Sequence, residues 1–288
     1  MNVTLGQAKG KRIRIPEASC CRYLNVIGDI IRGENVIREY IEARQALASQ
    51  KFFFDLQPIV RLPDGETFGY EALLRRKTGD TVQRAADFLE VFEAEALANQ
   101  IQAQALQALD PYTVGERCFP LSINATPRQL CSSAFREQLL EFAARNDIKP
   151  SLIEIEVTER TLLSAIDGAA EAMGRLHRCG FRLCIDDFGV GFSSLLYLKL
   201  FHFDCIKIDR AFIVDIVENK RSQDIVEVIC GLAARFGANV VAEGIETGAQ
   251  REIVIACGVG FGQGYLFGKP RPPGMLWPGI PSTLGSVA

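Results

Sequence analysis

The sequence predicts an α/β fold in which eight strands close into a barrel with one strand reversed, behind a short helical extension. Three observations lead there. From residue 52 onward, short apolar runs alternate with longer amphipathic stretches, the texture of repeated strand–helix units around a parallel sheet. Eight strand candidates fit between residues 52 and 267, which suits a closed TIM-like (β/α)8 barrel better than an open sheet. The first two candidates are separated only by RLPDGE (61–66), a turn signal containing Asp-Gly. They therefore form a hairpin, and one barrel strand runs antiparallel to its neighbours.

The elements follow in order. Residues 1–21 are polar and basic. Residues 22–49 carry the apolar pairs Val26/Ile27, Ile30/Ile31, Val36/Ile37 and Tyr40/Ile41, spaced four apart within each half, so a helix is expected from about residue 22, bent or interrupted at Gly33. It suits a packing arm, a dimerisation helix or a linker from a sensor. Strands are expected at 52–60, 67–74, 118–124, 152–158, 181–186, 203–208, 238–243 and 259–266. Helices are expected at 84–109, 127–146, 160–178, 193–200, 222–236 and 247–257. This divides the chain into an extension, 1–51, and a barrel domain with a C-terminal tail, 52–288.

Composition narrows the function classes. Hydrophobic residues make up 48% and charged residues 23%, ordinary for a globular protein and unlike a disordered chain. With 32 Lys and Arg against 35 Asp and Glu, the chain is not a broadly basic nucleic-acid binder, and no DNA partner is expected. The nine Cys include no CxxC pair, and Cys118, Cys184 and Cys205 lie in apolar runs where Cys acts as a small hydrophobe. No apolar run reaches the length of a membrane span, and the N-terminus lacks the apolar stretch of a signal peptide, so a cytoplasmic setting is expected.

The chemistry is expected where polar residues interrupt the strands near their carboxyl ends. Glu71, Asn124, Glu156, Asp186, Asp187, Lys207, Glu243 and Gln263 all occupy such places. One Glu in an apolar strand is usually a paired structural residue. Seven successive strands that each contribute a polar side chain point to the C-terminal face of a barrel, where barrel enzymes place their sites. Burying several carboxylates together is strongly unfavourable unless a cation compensates them. Carboxylate and amide oxygens are hard donors suited to Mg²⁺ or Mn²⁺. The two His, His177 and His202, fall off these positions, which disfavours a zinc centre or a His-based triad there; His177 is expected on a helix surface or in packing. Two ions sharing an aspartate could stabilise an in-line displacement at phosphorus. Lys207 could neutralise phosphate, orient the attacking water, or simply pair with a neighbouring carboxylate.

These residues stand within EALLR (71–75), QPIV (57–60), SIN (122–124), EVTE (156–159), DDFG (186–189), KID (207–209), AEGIET (242–247) and QGYLF (263–267). In order and spacing, residues 52–271 resemble the EAL-domain family of bacterial cyclic-di-GMP phosphodiesterases. The resemblance implies a barrel with one reversed strand, two Mg²⁺ or Mn²⁺ ions, and hydrolysis of cyclic-di-GMP to linear pGpG. It places one ion on Glu71, Asn124, Glu156 and Asp186, and the second on Asp186, Asp187 and Glu243. It also implies that Lys207, Glu243 and Gln263 surround the attacking water, that Glu159 holds the loop beginning at Asp186, and that Gln57, Leu74 and Arg75 contact the ligand. A homodimer and an upstream sensor or regulator are its implied partners. The alternative is a catalytically weak EAL domain that acts as a cyclic-di-GMP receptor or protein-interaction module; the filled metal set favours the enzyme. The chain departs from the family pattern at Val190, where Thr is common, and at Arg76, where Trp is common. The segment after Arg76 is also shorter and lacks the usual Pro near Phe88.

Overall fold

The computed structural model describes residues 38–88, 95–112, 120–158, 166–190 and 199–276. Strand β1 (Phe52–Arg61) and strand β2 (Thr67–Thr78) form the expected antiparallel hairpin, which sets Gln57 opposite Glu71. Strand β3 (Thr81–Arg84) folds back on the end of β2. The ring continues from β2 through β4 (Leu121–Asn124), β5 (Ile153–Thr158), β6 (Arg182–Phe188), β7 (Cys205–Ile208), β8 (Asn239–Ala242) and β9 (Phe261–Gln263), each parallel to the one before. Strand β9 then pairs antiparallel with β1, setting Ile59 opposite Gln263 and closing the barrel. The result is an eight-stranded barrel with β1 reversed and β3 appended outside the ring, as the hairpin signal implied for the reversed strand.

Strand alternation sorts the side chains into two environments. On β5, Ile153, Ile155 and Val157 join the large apolar core, while Glu154 and Glu156 take the opposite face. That core includes Phe135, Leu139 and Phe142 of helix α4 (Ser133–Arg145), Met173 and Leu176 of α5 (Ile166–Arg178), and Val226 and Ile229 of α6 (Lys220–Phe236). A separate cluster of Ile59, Cys184, Cys205 and Val241, flanked by Phe68 and Phe261, fills the barrel interior. Cys184 and Cys205 are thus the small hydrophobes the sequence suggested; Cys118 lies outside the described residues.

Two expected helices differ. Among the described residues, the stretch expected as a helix over 84–109 holds a 3-10 turn at Ala85–Asp87 and helix α2 over Glu95–Gln107. Gly79, at φ 58°, turns the chain back so that Thr81–Arg84 extends β2, and the Asp87 carboxylate then caps the Arg84 N–H at 2.8 Å. The helix expected over 127–146 divides into α3 (Pro127–Cys131) and α4. Ser132 both ends α3 and caps α4, its Oγ accepting the Phe135 N–H.

The extension contributes helix α1, over 38–48, which buries Ala43 and Ala46 against Phe52, Phe88, Leu97, Ala98 and Ile101. Its anchor on the barrel is Arg76, with a side chain only 2% exposed. Arg76 Nη2 donates to Glu39 Oε2 at 2.9 Å and lies 3.7 Å from Glu42, Nε donates to Gln83 at 2.8 Å, and the guanidinium stacks 4.8 Å from the Phe88 ring centroid. Glu39→Ala leaves this buried cation its Gln83 and Phe88 contacts but, among the described residues, only the more distant Glu42 as an anionic partner. It is expected to cost about 2–4 kcal/mol of stability, read by urea unfolding, because removing one partner of a buried pair strands the other. No described helix is long and apolar enough to cross a membrane.

Candidate active site

The polar residues expected at the strand ends converge inside the barrel mouth. Lys207, on β7 and 1% exposed, stands at the centre. Its Nζ lies 2.6 Å from Glu243, 3.1 Å from Glu156, 3.2 Å from Glu71 and 3.5 Å from Asp186. Glu71 Oε1 accepts from Asn124 Nδ2 at 2.9 Å, and Oε2 accepts from Gln263 Nε2 at 2.7 Å. Gln263 also donates to Gln57 Oε1 at 3.1 Å, and Gln57 donates to the Gly268 carbonyl at 3.2 Å. Strands β1, β2, β4, β5, β6, β7 and β9, with the residue that follows β8, thus each supply a member of one network.

Local sequence fixes these side chains. Thr126 and Gln129 form a reciprocal capping box with Pro127 at the first helical position, which starts α3 directly after Asn124. Gln102 of α2 links Gln129 to the Asn124 carbonyl. Beyond Glu243, Thr247 and Gln250 form a second capping box that starts α7 (Gly248–Ala256), and Gln250 Nε2 also donates to the Ile213 carbonyl at 3.1 Å. Gly264, at φ 156°, rests against the backbone of Ile245, where a methyl group would overlap it. Only glycine lets the chain after Gln263 lie against the loop after Glu243. At Asp187 the chain turns left-handed, φ 55°, and the Asp187 N–H donates to Asp186 Oδ1 at 3.0 Å. This is the turn that lets consecutive aspartates serve one site: oxygens of Asp186, Asp187 and Glu243 lie within 4.8 Å of one another.

The electrostatics show more negative charge than Lys207 alone can balance. Burial, with the neighbouring Glu71 and Asp186 charges, pushes Glu156 well above the usual carboxylate range, against the pull of Lys207. Burial raises Glu243 to about 8 despite Lys207, and raises Asp187 to about 6 with the help of Asp186 and Asp209. Asp186 moves in the same direction for the same first reason. Glu71 is the exception. Burial acts against its charge, but Lys207 and the hydrogen bonds from Gln263 and Asn124 prevail and hold it below its ordinary value. Burial would lower Lys207, yet the surrounding carboxylates, Asp186 and Glu156 foremost, raise it well above the usual range. Glu156 Oε1 and Gln263 Oε1 are buried without a hydrogen-bond partner. Buried orphan acceptors beside surplus carboxylate are what a divalent cation would satisfy, so the donor set fits Mg²⁺ or Mn²⁺.

Arg75 lies at the rim of the same face, its Nε donating to Asp55 at 2.9 Å and its Nη1 to the Leu74 carbonyl at 3.1 Å. The Leu74 side chain packs with the apolar clusters, so only its backbone joins this arrangement. Glu159 lies outside the described residues, as does most of the loop after Val190; Val190 itself is exposed. The sequence reading gave no role to Asp55, which orients Arg75, or to Asp209, which faces Asp187 and caps the Ala211 N–H at 2.7 Å. Asp209 carried a signal, since it stands in the motif that holds Lys207. Asp55 had only its place on the first strand.

The family model for the EAL domain matches residues 42–270. A Pseudomonas aeruginosa protein named cyclic di-GMP phosphodiesterase NbdA is 30% identical over 249 residues, covering 84% of this chain and 32% of its own length. Cyclic di-GMP phosphodiesterase PdeF of Escherichia coli is 33% identical over 234 residues, covering 80% of this chain and 31% of its own length. The chain therefore spans about a third of the length of these curated relatives. Among solved structures, the PaMucR phosphodiesterase in complex with c-di-GMP aligns with a TM-score of 0.75 at 31% identity, covering 83% of this chain and 99% of that one. The EAL enzyme Bd1971, bound to cAMP and cyclic-di-GMP, gives a TM-score of 0.77 at 30% identity over 88% of this chain and 70% of its own. With a barrel of this topology and a family match across most of its length, the chain belongs to the EAL domain family.

Proposed function

We propose that this chain hydrolyses cyclic-di-GMP to linear pGpG with two Mg²⁺ or Mn²⁺ ions, residues 52–288 forming the catalytic domain and 1–51 an extension. The observation that carries this reading is the surplus of buried carboxylate around Lys207, with Glu156 Oε1 left unpartnered. Relatives and structural neighbours named for this activity or this ligand support it. Glu71, Asn124, Glu156 and Asp186 would hold one ion, and Asp186, Asp187 and Glu243 the other. Such ions supply Lewis acidity toward a phosphoryl oxygen and a readily deprotonated water.

The protein's own groups do the rest. Lys207 Nζ can hydrogen-bond a water or phosphate oxygen facing the carboxylates while neutralising its charge. Gln263 and Gln57 brace Glu71 from the antiparallel side of the barrel. Arg75 has Nε and Nη1 held, which fixes the guanidinium plane and leaves Nη2 for a phosphate oxygen of the ligand. Gln57 and the Leu74 backbone belong to the same ligand rim. Glu159 is assigned to holding the loop that starts at Asp186. A homodimer, an upstream sensor or regulator, and a cytoplasmic setting belong to the same reading.

The test is incubation of purified protein with cyclic-di-GMP and Mg²⁺ or Mn²⁺, followed by chromatography for pGpG. EDTA is expected to abolish turnover and either ion to restore it. Ca²⁺ is expected to bind with little hydrolysis, because it takes longer bonds and looser coordination. Full turnover in thoroughly metal-stripped protein would remove the two-ion mechanism, and absence of pGpG with both ions present would remove the activity.

A further inference from the structure

We propose that His177, His202 and Asp204 form a second metal site, for a borderline transition-metal ion such as Zn²⁺, at the end of the barrel opposite the carboxylate cluster. This is independent of the phosphodiesterase reading. His177 lies in the last turn of α5, whereas His202 and Asp204 lie in the segment that enters β7. They are the chain's only two His, widely separated in sequence, and the fold brings their rings to 4.6 Å between centroids. His202 Nε2 lies 3.6 Å from Asp204 Oδ1. One donor atom from each of the three residues falls within 4.8 Å of the others.

Two ligands bound to one tetrahedral zinc ion at ordinary bond lengths lie about 3.4 Å apart. The Asp204–His202 edge is therefore already close to metal-binding geometry. Both histidines are exposed, so small side-chain rotations can close the remaining edges. Asp204 is the fixed member. Its Oδ2 accepts the Leu183 N–H at 2.9 Å, its own N–H donates to the Leu183 carbonyl at 2.8 Å, and its carbonyl accepts the Asn239 N–H at 2.9 Å. The backbone bond to Oδ2 orients the carboxylate and leaves Oδ1 toward His202, as an outer partner does for a metal-binding group.

The donor chemistry selects the ion. Two imidazole nitrogens and one carboxylate oxygen suit Zn²⁺, and not the hard ions that fit an all-oxygen cluster. The carboxyl end of the 13-residue helix α5 carries partial negative charge, which favours a cation there. Of the nearby cations, Arg175 is paired with Glu171 at 2.6 Å and Arg182 with Glu154 at 3.4 Å, which reduces their repulsion of an incoming ion, while Arg178, next to His177 in the last turn of α5, is an opposing charge.

The experiment uses the untagged chain of residues 1–288, stripped with EDTA and then held in excess Mg²⁺ to occupy the carboxylate site. Zn²⁺ is titrated against a chromophoric chelator for wild type, His177→Ala, His202→Ala and Asp186→Asn. Wild type and Asp186→Asn are expected to share one Zn²⁺-binding event that either His substitution weakens by about tenfold or more, since a ligand costs at least what an outer partner costs. Zn²⁺ is also expected to raise the melting temperature of wild type and of neither His variant. The same melts without Zn²⁺ check that the variants fold. Equal Zn²⁺ affinity and stoichiometry in wild type and both His variants would overturn the proposal, leaving a surface histidine pair only. Loss of the event in Asp186→Asn with retention in the His variants would overturn it equally, by placing the zinc in the barrel mouth.

Discussion

Asp186→Asn and Glu243→Gln are each expected to cut cyclic-di-GMP turnover by more than about 100-fold while leaving the fold intact. On the proposed two-ion reading each substitution would remove a charged ligand, and even an outer partner of a metal ligand is worth about 10–100-fold. The stability half of the expectation comes from the site's own electrostatics. Burial raises both carboxyl groups, Glu243 to about 8, so at neutral pH without metal the protonated form of Glu243 is the favoured one. An amide imitates that form in shape and charge. Glu71→Ala is expected to behave differently. Glu71 is held ionised by Lys207, Gln263 and Asn124, so its loss strands three donors and lowers stability as well as turnover. Melting curves alongside pGpG formation separate the two behaviours. Wild-type rates in all three variants would show that the barrel mouth is not the site.

Much of this site was legible because the barrel imposes a simple rule on its strands. One face is apolar toward the helices, and the last inward residue of each strand meets at one end. Glu71, Glu156, Lys207 and Gln263 each interrupt an apolar run, and Asn124, Asp186 and Glu243 each end one, so the strand pattern exposed them. What escaped the sequence depended on contacts between distant segments. Strand β3 has no buried side chain to give it a pattern, and it exists because β2 offers it an edge. Arg76 stands out in the sequence only as a departure from a common Trp, and its role emerges when α1 covers it and supplies Glu39. Asp55 acquires its role only when the hairpin register brings Arg75 across to it. The histidine pair has no motif spacing at all, because a helix end and a strand entrance meet only after the barrel closes.

Lys207→Met is expected to be the most disruptive substitution in the barrel, and its effect should depend on pH and on metal. Lys207 lies within 3.5 Å of four carboxylates and is almost wholly buried. Removing it leaves those groups without their shared cation, a loss on the order of 3–5 kcal/mol by the usual cost of breaking a buried pair. The pH dependence follows from the signs of the shifts. A carboxyl raised in the folded state contributes stability that is complete below its unfolded value and is lost as pH rises through its folded value. Asp187, raised from 3.8 to about 6, and Glu243, raised from 4.5 to about 8, therefore make metal-free wild type progressively less stable as pH rises from about 4 to about 8. Glu71 has the opposite sign but acts only at the acid end, where its contribution is lost as pH falls below 4.5 through its lowered value. Lys207 stays charged in both states across that window, because its contribution is lost only above 10.5. Without the lysine the repulsion is unshielded, so the slope should steepen. Mg²⁺ or Mn²⁺ should flatten it in both proteins by holding the carboxylates ionised. Urea unfolding at several pH values, in EDTA and in Mg²⁺, measures all four slopes. A metal-free wild type whose stability does not change across that range would show that these carboxylates do not carry the excess charge assigned to them.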